Sequence, residues 1–229
     1  MNRAASLTGA VIVGAGSSQR MGMDKIIMPL GGKPVISWSV DVCQRSELID
    51  RIVIVLNDSQ RDFGQKLAAE RGWTKVVDIC PGGSRRQDSV REGLTRLKDC
   101  EWVLIHDGAR PFLTPDLIRL GLESARSTGS AVLAVPVKDT IKQGNADLTV
   151  RKTFNREELW AAQTPQVFRF DIITRAYQNT IADVTDDASM VEQLGYKVKL
   201  CMGSYDNIKI TTPEDLALAE LIARKKATA

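Results

Sequence analysis

The 229-residue chain predicts an α/β fold built on a doubly wound, mostly parallel sheet, and three observations point there. Short β-branched runs are almost continuously apolar, as strands covered on both faces must be. Helix-length amphipathic segments alternate with them, several opening on Ser, Thr or Pro. A glycine-rich loop follows the first run directly. Such βαβα order gives right-handed crossovers and a layered sheet.

Taken in order, the expected strands are Ala10–Ala15, Arg51–Asn57, Lys75–Cys80, Trp102–Asp107 and Ala131–Val137. The expected helices are Pro34–Arg45, Ser59–Arg71, Ser84–Leu97 and Pro115–Ser127. From Lys138 to about Phe154 the pattern loosens to alternation and turns at "QGNAD", as a β-hairpin does. A hairpin of that size has too little core to stand alone, so it must pack on something. The α/β pattern resumes with "KVKLCMG", "NIKI" and a last helix near Pro213. Neither a repeat nor a second domain is visible, so the expectation is one domain over 1–229 with an inserted arm at about 138–156.

A composition 43% hydrophobic and 26% charged is that of a globular protein and argues against disorder. The net charge of +3 is too small to imply nucleic-acid binding and suits an anionic small substrate. Four widely spaced cysteines without a C-x-x-C pair read as reduced thiols in a cytoplasmic protein. The N-terminal apolar run is too short for a signal peptide, and no run is long enough for a membrane span. With one histidine, a multi-histidine metal site is impossible, and Ser-His-Asp chemistry has only His106 to run through.

Gly14-Ala15-Gly16 begins like a dinucleotide fingerprint, but Gln19 stands at the third glycine position. No acidic residue about 20 residues on completes it. A P-loop would need G-K-[ST], and the sequence has Gly22-Met23-Asp24-Lys25. What remains is a loop whose glycines let backbone N–H groups approach anionic oxygens. Arg20 and Lys25 add charge at two points along a polyphosphate. On the loop alone, a tight βα turn with two solvated cations is as good an account. Asp107 ends an expected strand, where carboxylates of open α/β sheets face the ligand crevice and can help hold Mg²⁺. Its alternative is a helix N-cap.

Several segments together carry a family resemblance. "GAGSSQRMG…DK…PLGGKPVI" resembles the signature of sugar-nucleotide pyrophosphorylases and cytidylyltransferases. "PGGSRRQDSVREGL", "HDGARPF" and "YDNIKITTPEDLALAE", with "VPVKDTIK" and "AAQTPQVF", narrow the match. The set is similar to the methylerythritol phosphate cytidylyltransferase family and runs from Gly14 to Glu220.

The resemblance implies a Rossmann-like nucleotidyltransferase fold, CTP and a sugar-alcohol phosphate as substrates, and Mg²⁺ or another divalent cation. It implies catalytic roles for Arg20, Lys25 and Lys209, and nucleotide contacts from Gly14, Ala15, Gly16, Gly82, Gly83, Arg86, Ser89, Asp107 and Gly108. Thr140 and Arg156 on the arm are assigned to the acceptor, across a homodimer. Asp107 and Asp206 are the implied metal ligands. Asp186 and Asp187 look structural. Arg110, before Pro111, reads from its position as a loop brace acting through an ion pair. The sequence departs from the pattern at Asp24, where the family has Pro, and at Ile26-Ile27, where it has Gln and an aromatic residue; Gly108 replaces an alanine. Two rivals stay open: a cytidylyltransferase for ribitol 5-phosphate or another polyol phosphate, and a non-catalytic nucleotide-binding domain on the same fold.

Overall fold

The computed structural model describes residues 6–16, 24–180 and 183–227. In chain order its elements are β1 (Thr8–Val13), β2 (Pro29–Leu30), β3 (Lys33–Pro34), α1 (Val35–Arg45), β4 (Arg51–Leu56), α2 (Arg61–Glu70) and β5 (Val76–Pro81). Next come α3 (Arg86–Leu94), β6 (Trp102–Asp107), α4 (Pro115–Ala125), β7 (Ser130–Pro136), β8 (Lys142–Gly144) and β9 (Val150–Thr153). The chain closes with β10 (Trp160–Arg169), α5 (Phe170–Asn179), α6 (Asp187–Gln193), β11 (Lys199–Met202) and α7 (Pro213–Ala227).

Seven strands form the main sheet in the order β11-β7-β10-β6-β1-β4-β5. All run parallel except β10, which pairs antiparallel with both β6 and β7. The five expected strands are all present. Their unbroken apolar runs are explained by the packing, because successive residues feed opposite faces of the sheet. Ala10, Ile12, Ile52, Ile54 and Leu104 pack with α1, α2 and α4 on one face. Val11, Val53, Val55, Val103 and Ile105 pack with α3, α5 and α6 on the other. Each fully buried Val or Ile stabilises the fold by about 1.5–3 kcal/mol relative to an exposed one. A third cluster, around Leu30, Val35, Phe112, Ile210 and Ala223, seats α7 beside β2.

Strand β10 was not anticipated. Its sequence places Gln163, Thr164, Pro165 and Gln166 in the middle of a strand, where proline removes a ladder donor. The structure accommodates them with a register shift against β7 between Ala162 and Gln166. That irregularity frees the polar side chains for the site below. Helix α5 was also not expected. "NIKI" (Asn207–Ile210) is irregular loop, not strand, so Lys209 is not an edge-strand residue.

The hairpin is present as the antiparallel pair β8 and β9, every residue of which is exposed. Leu148, at φ 65°, turns the corner between them. Among the described residues, no helix is long and apolar enough to cross a membrane.

Candidate active site

After β1 the chain continues to β4 and β5, then crosses back through α3 to β6 on β1's other side. This reversal is the topological switch point, and ligands of open α/β sheets bind in the crevice it leaves at the strand C-termini. Here the crevice lies between Gly14, just past β1, and Asp107, the last residue of β6.

Glycines set its walls. Gly14 N–H donates to the Val55 carbonyl (2.7 Å), and a Cβ there would stand 2.9 Å from Leu56 Cδ2. A Cβ at Gly82 would come within 2.3 Å of Ala15 Cβ and 2.6 Å of Ser89 Oγ, so only glycine lets the β5–α3 loop nest against the β1 loop. Ser89, itself buried, accepts from Gly83 N–H (3.2 Å) and donates to the Arg85 carbonyl, which shapes that loop. Gly108 N–H donates to the Val13 carbonyl (2.8 Å) and locks β6 to β1 at the rim.

Two clefts open from this rim. The larger, about 460 Å³, is bounded by Gly14, Ala15, Gly16, Lys25, Gly83 and Ser89. The smaller, about 290 Å³, is bounded by Arg110, Ala162, Gln163, Thr164, Gln166, Thr185 and Asp186. Arg86, Asp107 and Lys209 line both, and they form the junction. Arg86 Nε donates to Asp107 Oδ1 (2.9 Å), while Lys209 Nζ lies 2.8 Å from Oδ2. Asp107 is therefore not a helix N-cap; Thr114 caps α4 by accepting from Leu117 N–H.

Burial by itself would raise the Asp107 pKa, but Arg86 and Lys209 overcome it and hold the carboxyl well below the usual range. Arg86 is pulled down by burial and pushed up further by Asp187 and Asp107, so it stays protonated. On its other side Arg86 Nη2 meets Asp187 Oδ2 at 2.9 Å.

His106 is fully buried, and burial pushes its pKa down to about 4. Its neighbours fix the tautomer. Thr164 Oγ accepts from Asp107 N–H (3.0 Å), and its proton goes to His106 Nδ1 (3.2 Å) because the Arg110 carbonyl, which can only accept, keeps the ring proton on Nε2. His106 Nε2–H then donates to the Arg110 carbonyl (2.9 Å). Both ring nitrogens are engaged, which leaves the histidine a scaffold role. Arg110 braces the loop carrying Lys209, by donating to the Asn207 carbonyl (2.7 Å) rather than through an ion pair.

The structure thus brings together Gly14, Ala15, Gly16, Lys25, Gly83, Arg86, Ser89, Asp107 and Lys209, with Gly82 and Gly108 in the supporting backbone. Arg20 lies outside the described residues. Thr140 and Arg156 are exposed on the arm and line neither cleft. Arg156 Nη1 donates to the Lys138 carbonyl (2.8 Å) at the arm's base. Asp206 is exposed, beside the loop that carries Lys209.

The departure at Asp24 is absorbed locally. Its carboxylate accepts from the Gln60 side-chain amide and from Ile26 N–H (3.3 Å), so its charge is directed into the β4–α2 turn. Ile26 is buried in the core. Sequence reasoning gave no site role to Thr164 and took Asp187 as structural. Both are site supports, and the signal was "AAQTPQVF", a polar cluster inside a strand, and "DVTDDAS", an acidic cluster leading into a helix.

A model of the 2-C-methyl-D-erythritol 4-phosphate cytidylyltransferase family matches residues 8–225. The protein of that name from Dehalococcoides mccartyi is 53% identical over 218 residues, covering 95% of this chain and 96% of that one. The one from Alkaliphilus oremlandii is 43% identical, over 96% of this chain and 97% of its own. Among solved structures, the 4-diphosphocytidyl-2C-methyl-D-erythritol synthase of Anaerococcus prevotii superposes with a TM-score of 0.86 at 32% identity, covering 96% of each chain. The Thermus thermophilus cytidylyltransferase gives 0.77 at 29%, over 93% of this chain and 98% of its own. With a switch-point crevice, two clefts and their shared cations all set in a sequence matched along almost its whole length, this chain belongs to the 2-C-methyl-D-erythritol 4-phosphate cytidylyltransferase family.

Proposed function

We propose that the chain transfers CMP from CTP to 2-C-methyl-D-erythritol 4-phosphate, releasing pyrophosphate and giving 4-diphosphocytidyl-2-C-methyl-D-erythritol. The observation that carries this is the pair of clefts sharing one junction of Arg86, Asp107 and Lys209. Transfer at an α-phosphate needs nucleotide on one side and an anionic acceptor on the other, with cations between them. The larger cleft, with its glycine loop and Lys25, suits the nucleotide. Into the smaller one Arg110 brings a half-buried guanidinium suited to a phosphate.

The acceptor's phosphate has its second pKa at about 6, so its oxygen is already an anion at neutral pH and needs no base. That agrees with the engaged, neutral His106. The barrier is charge, and cations meet it. Lys25 and Arg20 neutralise the departing pyrophosphate. Lys209, the more exposed of Asp107's two partners, exchanges the carboxylate for the α-phosphate as substrate arrives.

Mg²⁺ is held mostly by substrate phosphates and one or two carboxylates. Among the described residues no group of three acidic, histidine or cysteine side chains stands ready for a metal. Asp107 at the junction fits as one protein carboxylate for an ion carried in on the triphosphate, and exposed Asp206 would be the second. The ion would neutralise triphosphate charge.

We also place the enzyme in the cytoplasm as a homodimer. The four thiols are free and buried. The arm carries Ile141, Leu148 and Val150 exposed, Leu148 at 92%, and the sheet's edge strand β11 adds Leu200 and Met202. A coreless arm with that much apolar surface fits a second copy of itself. Thr140 and Arg156 would then serve the other subunit's smaller cleft.

The test is Mg²⁺-dependent pyrophosphate release from each nucleoside triphosphate, with methylerythritol phosphate and ribitol 5-phosphate as acceptors. Release only with CTP and methylerythritol phosphate is expected. Release with ribitol 5-phosphate instead would move the acceptor to the polyol branch, and none with any pair would leave a nucleotide-binding domain without this activity.

A further inference from the structure

Asp187 lines neither cleft, yet its carboxylate is fully buried and spans two helices. One oxygen accepts from the Tyr177 hydroxyl on α5 (2.5 Å), and the other meets Arg86 Nη2 (2.9 Å) on the first turn of α3. The start of α6 is itself pinned to β10, since Gln166 donates to Asp186 Oδ2 (2.8 Å) and accepts from Ala188 N–H (3.0 Å). Burial and the Asp187 charge both push the Tyr177 pKa upward, so the phenol remains a donor.

Buried ion pairs contribute little net stability, because desolvation offsets the attraction. A chain of Tyr177, Asp187, Arg86 and Asp107 therefore calls for a reason other than stability. The guanidinium supplies one. Its Nε edge serves Asp107 Oδ1 and its Nη2 end is drawn away toward Asp187. Without that pull, Arg86 would pair with both Asp107 oxygens or turn to the phosphates in the larger cleft. Either move would disturb the oxygen from which Lys209 departs.

We infer that Asp187, held by Tyr177, is a positioning residue that restrains Arg86 so that Lys209, and not Arg86, exchanges from Asp107 onto the phosphate. The inference rests on the cytidylyl-transfer function proposed above. It gives a signature that a merely structural role does not produce: weaker turnover together with tighter CTP binding. Asp187→Asn frees the guanidinium for the triphosphate.

The experiment compares wild type, Asp187→Asn, Arg86→Gln and the double variant, each well below its own melting temperature. CTP affinity is measured by calorimetry and turnover by pyrophosphate release. In Asp187→Asn, kcat should fall about 10- to 100-fold, as displacement of a site residue by about an ångström can cost. CTP should bind about 3- to 10-fold more tightly, by the added phosphate contact. In the Arg86→Gln background neither change should appear, because coupled residues are non-additive. Equal losses in both backgrounds, or turnover falling only with the folded fraction, would overturn the assignment. Should Asp187→Asn fold poorly, Tyr177→Phe keeps the ion pair and should show the same opposed shifts at smaller size; loss without tighter CTP binding overturns it too. If wild type itself releases no pyrophosphate, the functional proposal falls, and the CTP affinities alone decide the positioning claim.

Discussion

At the scale of single residues, the site is built by groups that are told apart only by what surrounds them. Asp107 and Asp187 are both buried carboxylates, yet one stands at the junction and the other behind it. Sequence showed Asp107 because it ends an apolar strand, a position with a topological meaning. Asp187 was hidden because an acidic cluster before a helix reads first as a cap, which Asp186 indeed supplies by accepting from Ser189 N–H (3.1 Å).

His106 carries a prediction of its own. Its folded pKa of about 4 lies below the ordinary 6.5, so between those values the unfolded chain binds the extra proton. Stability is then full above about pH 6.5 and is lost as pH falls through that window. Between pH 7 and 4.5 the loss should be about 2–3 kcal/mol. Denaturant titrations at both values measure it. A His106→Gln variant should be flatter, and an unchanged slope would show that the histidine is not the source.

At the scale of elements, apolar continuity made β1, β4, β5, β6 and β7 legible, and alternation around the turn "QGNAD" made the arm legible. Strand β10 was not legible, because Gln163, Thr164, Pro165 and Gln166 break both strand patterns; only the paired neighbours β6 and β7 make it a strand. The polar residues that obscured it are those that hold the site. Thr164 supports Asp107 and His106, Gln166 pins α6, and Gln163 Nε2 donates to the Ser204 carbonyl (2.9 Å) beside the Lys209 loop. The arm has its own prediction. Arg156→Ala should raise the acceptor KM about tenfold or more, as loss of a bidentate phosphate contact would. CTP affinity should stay unchanged. Steady-state kinetics with each substrate varied separates the two, and equal damage to both would remove the arm from acceptor recognition.

At the scale of the whole molecule, the exposed apolar residues of the arm and the β11 edge support the proposed homodimer, in which the partner's arm would complete each site. A two-fold dimer gives arithmetic for this. Mixing Arg156→Ala chains with Lys25→Ala chains yields half heterodimers, each with one intact site, so about a quarter of wild-type activity should return. Activity no greater than that of the separate variants would mean each chain serves itself. Fold class and nucleotide loop were readable in one chain's sequence because they are local patterns. The proposed cross-subunit completion comes from family resemblance, since no spacing in a single chain records which residues meet another copy.

The most direct test of the central claim is a single-turnover measurement on Lys209→Ala with CTP prebound and methylerythritol phosphate saturating. If Lys209 leaves Asp107 to stabilise the reacting phosphate, the chemical step should slow about 100-fold or more with CTP affinity within about threefold of wild type. An unchanged single-turnover rate, or a loss wholly explained by weaker CTP binding, would contradict the account and return Lys209 to the role of a structural partner for Asp107.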